Sequence, residues 1–70
     1  NNFDKKLREL GDISESEMRL AAFLRMNLTT KEIAALLNVL PDSILKSKYR
    51  LKKKLGLDKD TDLVPFLNGL

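Results

Sequence analysis

Cysteine and histidine are both absent from this 70-residue chain. Without cysteine there are no disulfide staples, thiolate ligands or thiol nucleophiles, and without histidine no imidazole serves as a base or a metal ligand. Glycine is scarce as well, with three residues in all, and none sits in a phosphate-binding glycine loop. No carboxylate pair lies in an evident pocket. The expectation is a protein that is not an enzyme and carries no cofactor. Long apolar runs are missing too: nothing approaches the roughly 20 residues that a membrane helix needs, so no membrane partner is expected. The opening, Asn1-Asn2-Phe3-Asp4, has neither an initiator methionine nor a signal-peptide pattern and reads as part of a longer cytoplasmic protein.

What the chain does have is an uneven charge. The net charge is +3 at pH 7, but residues 1–40 carry six basic and six acidic side chains, residues 41–54 six basic and one acidic, and residues 55–70 one basic and three acidic. A basic stretch between neutral and acidic ones is the electrostatic footprint of a nucleic-acid-binding element, and also of a merely solvated helix face.

Two capping boxes punctuate the first half. Ser14 stands three residues before Glu17, with Ile13 and Met18 placed to close as a hydrophobic staple around it. Thr29 stands three before Glu32, with Leu28 and Ile33 in the same relation. The first helix then shows Leu20, Phe23 and Leu24 at helical spacing and ends at Asn27 in a left-handed conformation. The second, with Ile33, Ala34, Leu36 and Leu37, runs out at Asn38-Val39-Leu40-Pro41, a break short enough only for a tight turn. Pro41 suits the first turn of a third helix. That helix, over about 42–54, carries Ile44, Leu51 and Leu55 on one stripe and stops at Gly56. A polar link with Asp60 or Thr61 as cap leads to a fourth short helix, with Leu63, Phe66, Leu67 and Leu70 on one face. Phe3, Leu7 and Leu10 give residues 1–12 the pattern of a linker helix. The expected fold is all-α: a compact four-helix helix-turn-helix domain over 13–70, preceded by that linker from an upstream domain.

On a helical wheel of the third helix, Ile44, Leu51 and Leu55 point inward while Asp42, Lys46, Tyr49 and Lys53 point the opposite way, flanked by Leu45 and Arg50. An α-helix fits the DNA major groove, where lysine and arginine donate to guanine acceptors and an apolar side chain touches the thymine methyl. Leu45, Lys46 and Tyr49 are therefore the expected base contacts, and Arg50, Lys53 and Lys54 the expected phosphate contacts. The start of the second helix, with Thr29, Thr30 and Lys31, offers amides, hydroxyls and a positive dipole end for a further phosphate. Lys48 and Lys52 fall nearer the protein's own flank. Asp58, Asp60 and Asp62 have the spacing that opens a calcium loop. Leu63 stands where that loop needs glycine, however, and Gly69 where it needs a bidentate glutamate, so capping is the reading and no metal is expected.

Ile13-Ser14-Glu15-Ser16-Glu17, Asn27-Leu28-Thr29-Thr30-Lys31-Glu32-Ile33-Ala34, and Ile44 followed by Lys52-Lys53-Lys54-Leu55-Gly56 stand in one gapless register. In that register the chain from Ile13 onward resembles the LuxR-type, or GerE-type, helix-turn-helix domain of bacterial transcription regulators. The resemblance implies a four-helix domain whose third helix reads double-stranded DNA, with base contacts at Leu45, Lys46 and Tyr49. It also implies a fourth helix that forms a homodimer contact, here through Leu63, Phe66, Leu67 and Leu70. Three positions depart from the family pattern: Leu45, where the family often has lysine, Leu40 at a cap position usually held by serine or threonine, and Pro65 near the first turn of the fourth helix. Two other readings stay open. One is a sigma-factor-like promoter-binding region, which would also contact RNA polymerase. The other is a helical protein–protein interaction or dimerisation module.

Overall fold

Both capping boxes form, and they fix where the second and third helices begin. The computed structural model describes residues 2–70, and those residues are helical without any strand: α1 (Asn2–Leu10), α2 (Glu15–Arg25), α3 (Thr30–Leu37), α4 (Pro41–Lys54) and α5 (Leu63–Asn68). Ser14 Oγ accepts from the Glu17 amide at 3.2 Å while the Glu17 carboxylate accepts from the Ser14 amide at 3.0 Å. Thr29 and Glu32 repeat the exchange at 3.1 and 2.8 Å.

The helix ends are equally regular. Asn27, Asn38 and Gly56 all adopt positive φ, at 63°, 57° and 71°. Each turns the chain so that two successive amides reach back to the carbonyls the helix leaves open. After α2, the Asn27 and Leu28 amides donate to the Leu24 and Phe23 carbonyls at 2.9 and 3.3 Å. After α3, Asn38 and Val39 donate to Ala35 and Ala34 at 3.3 and 3.0 Å, and after α4, Gly56 and Leu57 donate to Lys53 and Lys52 at 3.1 and 2.9 Å. Short polar asparagine tolerates the left-handed region, which is why two of these stops work without glycine.

Leu40, the N-cap of α4, makes no side-chain cap hydrogen bond, and neither Asp42 nor Ser43 replaces it; Pro41 at the first helical position gives the backbone its start. Pro65 occupies the third position of α5, where an amide has no intrahelical partner to lose. The cap of α5 is Asp62 rather than the expected Asp60 or Thr61: its carboxylate accepts from the Val64 amide at 3.2 Å. An aspartate immediately before the first apolar position reaches the second helical amide, which residues one or two earlier cannot.

One core joins all five helices. Leu7 of α1, Leu24 of α2, Ile33 of α3, Leu51 of α4 and Leu63 and Leu67 of α5 are its fully buried large side chains, and Phe3, Ile13, Met18, Leu20, Ala21, Ala34 and Ile44 complete it. The Cα radius of gyration, 11.2 Å, is close to the roughly 11 Å expected of a folded chain of this length. The helix expected as an incoming linker packs on the rest of the chain. Phe3 and Leu7 are buried in the common core, and Arg25 of α2 lies 4.3 Å from the Phe3 ring centroid, so α1 is an integral helix of the same domain. Asn1, the first residue of the expected linker, lies outside the described residues.

Gly11, between α1 and α2, is held against the end of α4: a Cβ built on it would stand 2.7 Å from the Lys54 carbonyl oxygen. Since backbone must move to admit a methyl there, Gly11→Ala is expected to destabilise the fold by about 1–3 kcal/mol. Gly69→Ala, with its nearest atoms at 3.5 Å, is expected to stay within about 0.5 kcal/mol of the parent. Thermal denaturation followed by circular dichroism compares the two.

Candidate nucleic-acid interface

α4 is built from 14 residues with opposed faces. Ile44 and Leu51 are buried and Leu55 is partly so, which seats one stripe on α2 and α3. This fixes the rotation of the helix and decides what each of its six basic residues does. Lys48 Nζ reaches Thr30 Oγ1 at 3.5 Å, Lys52 Nζ donates to the Lys59 carbonyl at 2.9 Å, and Lys54 Nζ donates to the Asp12 carbonyl at 3.0 Å and to Glu17 Oε1 at 2.7 Å. These three tie α4 to α3, to the link before α5 and to the start of α2.

The remaining three look outward. Lys46 and Arg50 are exposed and have no hydrogen-bond or ion-pair partner among the described residues, and Lys53 lies 4.9 Å from the Tyr49 ring centroid. Leu45 and Tyr49, 53% and 52% exposed, complete a continuous surface with them. The expected base-contacting residues Leu45, Lys46 and Tyr49 are thus brought to one open face, with Arg50 and Lys53 beside them.

Lys54 is a correction. Its ammonium is paired with a carboxylate and a backbone carbonyl within the domain, so it is not an open cation awaiting a phosphate. The wheel places it at the edge of the outer face, but the approach of α2 turns that edge into an internal contact.

At the start of α3, Thr29, Thr30 and Lys31 form the expected cluster, though its donors are partly taken. The Thr29 amide already donates to the Glu32 carboxylate and the Glu32 amide to Thr29 Oγ1. The Thr30 and Lys31 amides have no hydrogen-bond partner among the described residues and Lys31 is exposed, while the Thr30 hydroxyl accepts from Lys48.

Sequence reasoning missed a cleft of about 490 Å³ between the start of α2 and α4, lined by Ser14, Ser16 and Ser47 together with Arg50 and Lys53. Only the position of Ser47 on the wheel hints at it; the other two are brought there by packing. The paired Glu17 and Lys54 also line it, so the charge left over, on Arg50 and Lys53, is positive.

The Glu17 side chain is 13% exposed. Burial pushes its carboxyl up, but hydrogen bonds from Lys54 and from Ser14, with the Lys54 charge, outweigh burial and hold it below its ordinary 4.5. Glu32 is lowered by its bonds with Thr29. Each group is more acidic folded than unfolded, so the stability it contributes is present above about pH 4.5 and is lost as pH falls through the lowered folded value. Melting temperature measured down an acid series is expected to fall below pH 4.5, and less steeply in Glu17→Gln. An equal slope in that variant would remove Glu17 from the acid response.

The expected dimer contacts also need correction. Leu63 and Leu67 are buried in the domain's own core, because α5 packs its apolar stripe on α2. Only the partly buried Phe66 and Leu70 are left toward the surface. No protein-family model matches the chain, and searches of curated proteins and of solved structures find no match.

Proposed function

We propose that this chain is a sequence-specific duplex-DNA-binding domain of the helix-turn-helix kind, with α4 in the major groove, serving as the output domain of a bacterial transcription regulator in the cytoplasm. The observation that carries the reading is the division of labour on α4. Three of its cations hold the helix in place, and the other three, with Leu45 and Tyr49, face solvent without a charge partner among the described residues. A solvated face has no need of exposed leucine and tyrosine among its lysines; a groove-reading face uses both kinds of side chain. Arg50, Lys53 and Lys31 take phosphates, and the open amides at the start of α3 add a backbone anchor. The three blocks of LuxR-type pattern support the same assignment of α3 and α4. A homodimer would use Phe66 and Leu70 rather than the two buried leucines of α5. The sigma-factor-like variant keeps the same DNA face and adds a polymerase contact.

A second reading has a specific observation behind it. Leu36, Val39 and Leu40 around the α3–α4 turn are exposed, Leu36 by 61% and Leu40 by 74%, and exposed neighbouring apolar residues suit a protein-interaction module.

An amide chemical-shift titration with a short mixed-sequence duplex at low salt separates the two, since non-specific affinities of about 10⁻⁴ to 10⁻⁶ M are visible that way. Shifts centred on Lys31, Lys46, Tyr49 and Arg50 that fade with added salt are expected. A silent titration, or shifts confined to Leu36–Leu40 or to Phe66 and Leu70, overturns the DNA reading.

A further inference from the structure

We infer that Leu45, together with the Tyr49 ring, reads the C5-methyl group of thymine, so that this chain selects DNA sites with a thymine facing the first turns of α4. The inference rests on the DNA-binding reading above and deepens it by naming what the face recognises.

Leu45 lies one helical turn before Tyr49, and Tyr49 one turn before Lys53, so the three side chains share a strip along α4. Both Leu45 and Tyr49 are about half exposed, and neither belongs to the apolar residues packed on the core. Their exposure is thus not explained by the fold. Lys53 lies over the Tyr49 ring at 4.9 Å, a contact that helps to hold the ring on this strip.

The chemistry of the groove then selects the base. A leucine side chain can neither donate nor accept a hydrogen bond, so it gains nothing from guanine N7 or O6, from adenine N7 or N6, or from the cytosine amino group. The one apolar group that the major groove displays is the thymine methyl. Leucine opposite the polar edge of another base also strips water from that edge without replacing its hydrogen bonds, which is a cost. Lys46 and Arg50, on the far side of the strip, supply the donors for guanine and phosphate. Leu45 therefore acts as the discriminating apolar element of an otherwise cationic face. The same methyl distinguishes DNA from an RNA duplex, which lacks it in uracil and whose deep, narrow major groove does not admit side chains.

The test uses the 70-residue chain itself. Duplexes are enriched from a randomised pool by binding to the chain, and each thymine of the enriched site is replaced in turn by deoxyuridine, which removes one methyl and leaves the hydrogen-bonding edge intact. One position is expected to lose about fourfold in affinity, the fold-change that corresponds to about 0.8 kcal/mol for one buried methyl. The Leu45→Ala chain is expected to bind more weakly and to show little or no deoxyuridine effect at that same position. Leu45 is exposed, so this variant keeps the fold. Enrichment of a defined site that tolerates deoxyuridine everywhere, or a penalty that persists undiminished in Leu45→Ala, overturns the inference while leaving DNA binding in place. Failure to enrich any sequence overturns the sequence-specific reading as well, and duplex binding at low salt then shows whether non-specific binding survives.

Discussion

Raising the salt concentration from about 50 to about 200 mM is expected to weaken binding of this chain to a DNA duplex about fortyfold, the change that three phosphate contacts produce through counterion release. The three are Lys31, Arg50 and Lys53, the exposed cations assigned to phosphates, whereas the equally exposed Lys46 is assigned to a base edge. Lys48, Lys52 and Lys54 are not counted, because each makes an internal hydrogen bond. Arg50→Ala is expected to lower the slope of log affinity against log salt by about one and to weaken different sequences by similar factors, since a phosphate contact carries no base identity. Lys54→Ala is expected to leave the slope unchanged and to lower the melting temperature instead. Fluorescence anisotropy with a labelled duplex over a salt series measures all three chains. A slope near zero would remove the electrostatic footprint from α4, and a slope reduced as much by Lys54→Ala as by Arg50→Ala would contradict the division of its lysines.

The second large effect concerns the core on which that face depends. Leu51→Ala is expected to cost about 2–5 kcal/mol, through lost apolar burial and the cavity left behind. Leu51 is fully buried at the meeting of α4 with α2 and α3, so little around it is free to collapse. A domain of this size has a total stability of only about 4–10 kcal/mol. The variant is therefore expected to melt more than about 10 °C below the parent, and its α4 face to lose DNA binding with its fold. The exposed Leu45→Ala change, on the same helix, is expected to remain within about 0.5 kcal/mol of the parent. Thermal and urea denaturation compare the two; equal stability of both variants would contradict the rotation of α4 that places Leu51 inward and the candidate reading residues outward.

Most helix boundaries were legible because they are written in local chemistry. Ser14 with Glu17 and Thr29 with Glu32 need only a three-residue spacing to form their boxes, and Asn27, Asn38 and Gly56 can take a positive φ wherever the chain meets no competing contact. The inward stripe of α4 was legible for a similar reason: helical periodicity alone places Ile44 and Leu51 together and Lys46 opposite them. The cap of α5 was missed by one or two residues, since Asp60, Thr61 and Asp62 are all competent caps and only packing of Leu63 selects the start.

The sequence by itself determined an all-helical chain, the approximate limits of its helices and a basic helix with an exposed mixed face, because each depends on contacts within a few residues. Tertiary structure alone decided that α1 belongs to the core, that Leu63 and Leu67 are internal, and that Lys54 faces Glu17 across a separation of 37 residues. Whether an apolar stripe covers the chain's own core or a partner, and whether a lysine is paired or open, depends on which distant helix packs against it. No local pattern encodes that approach.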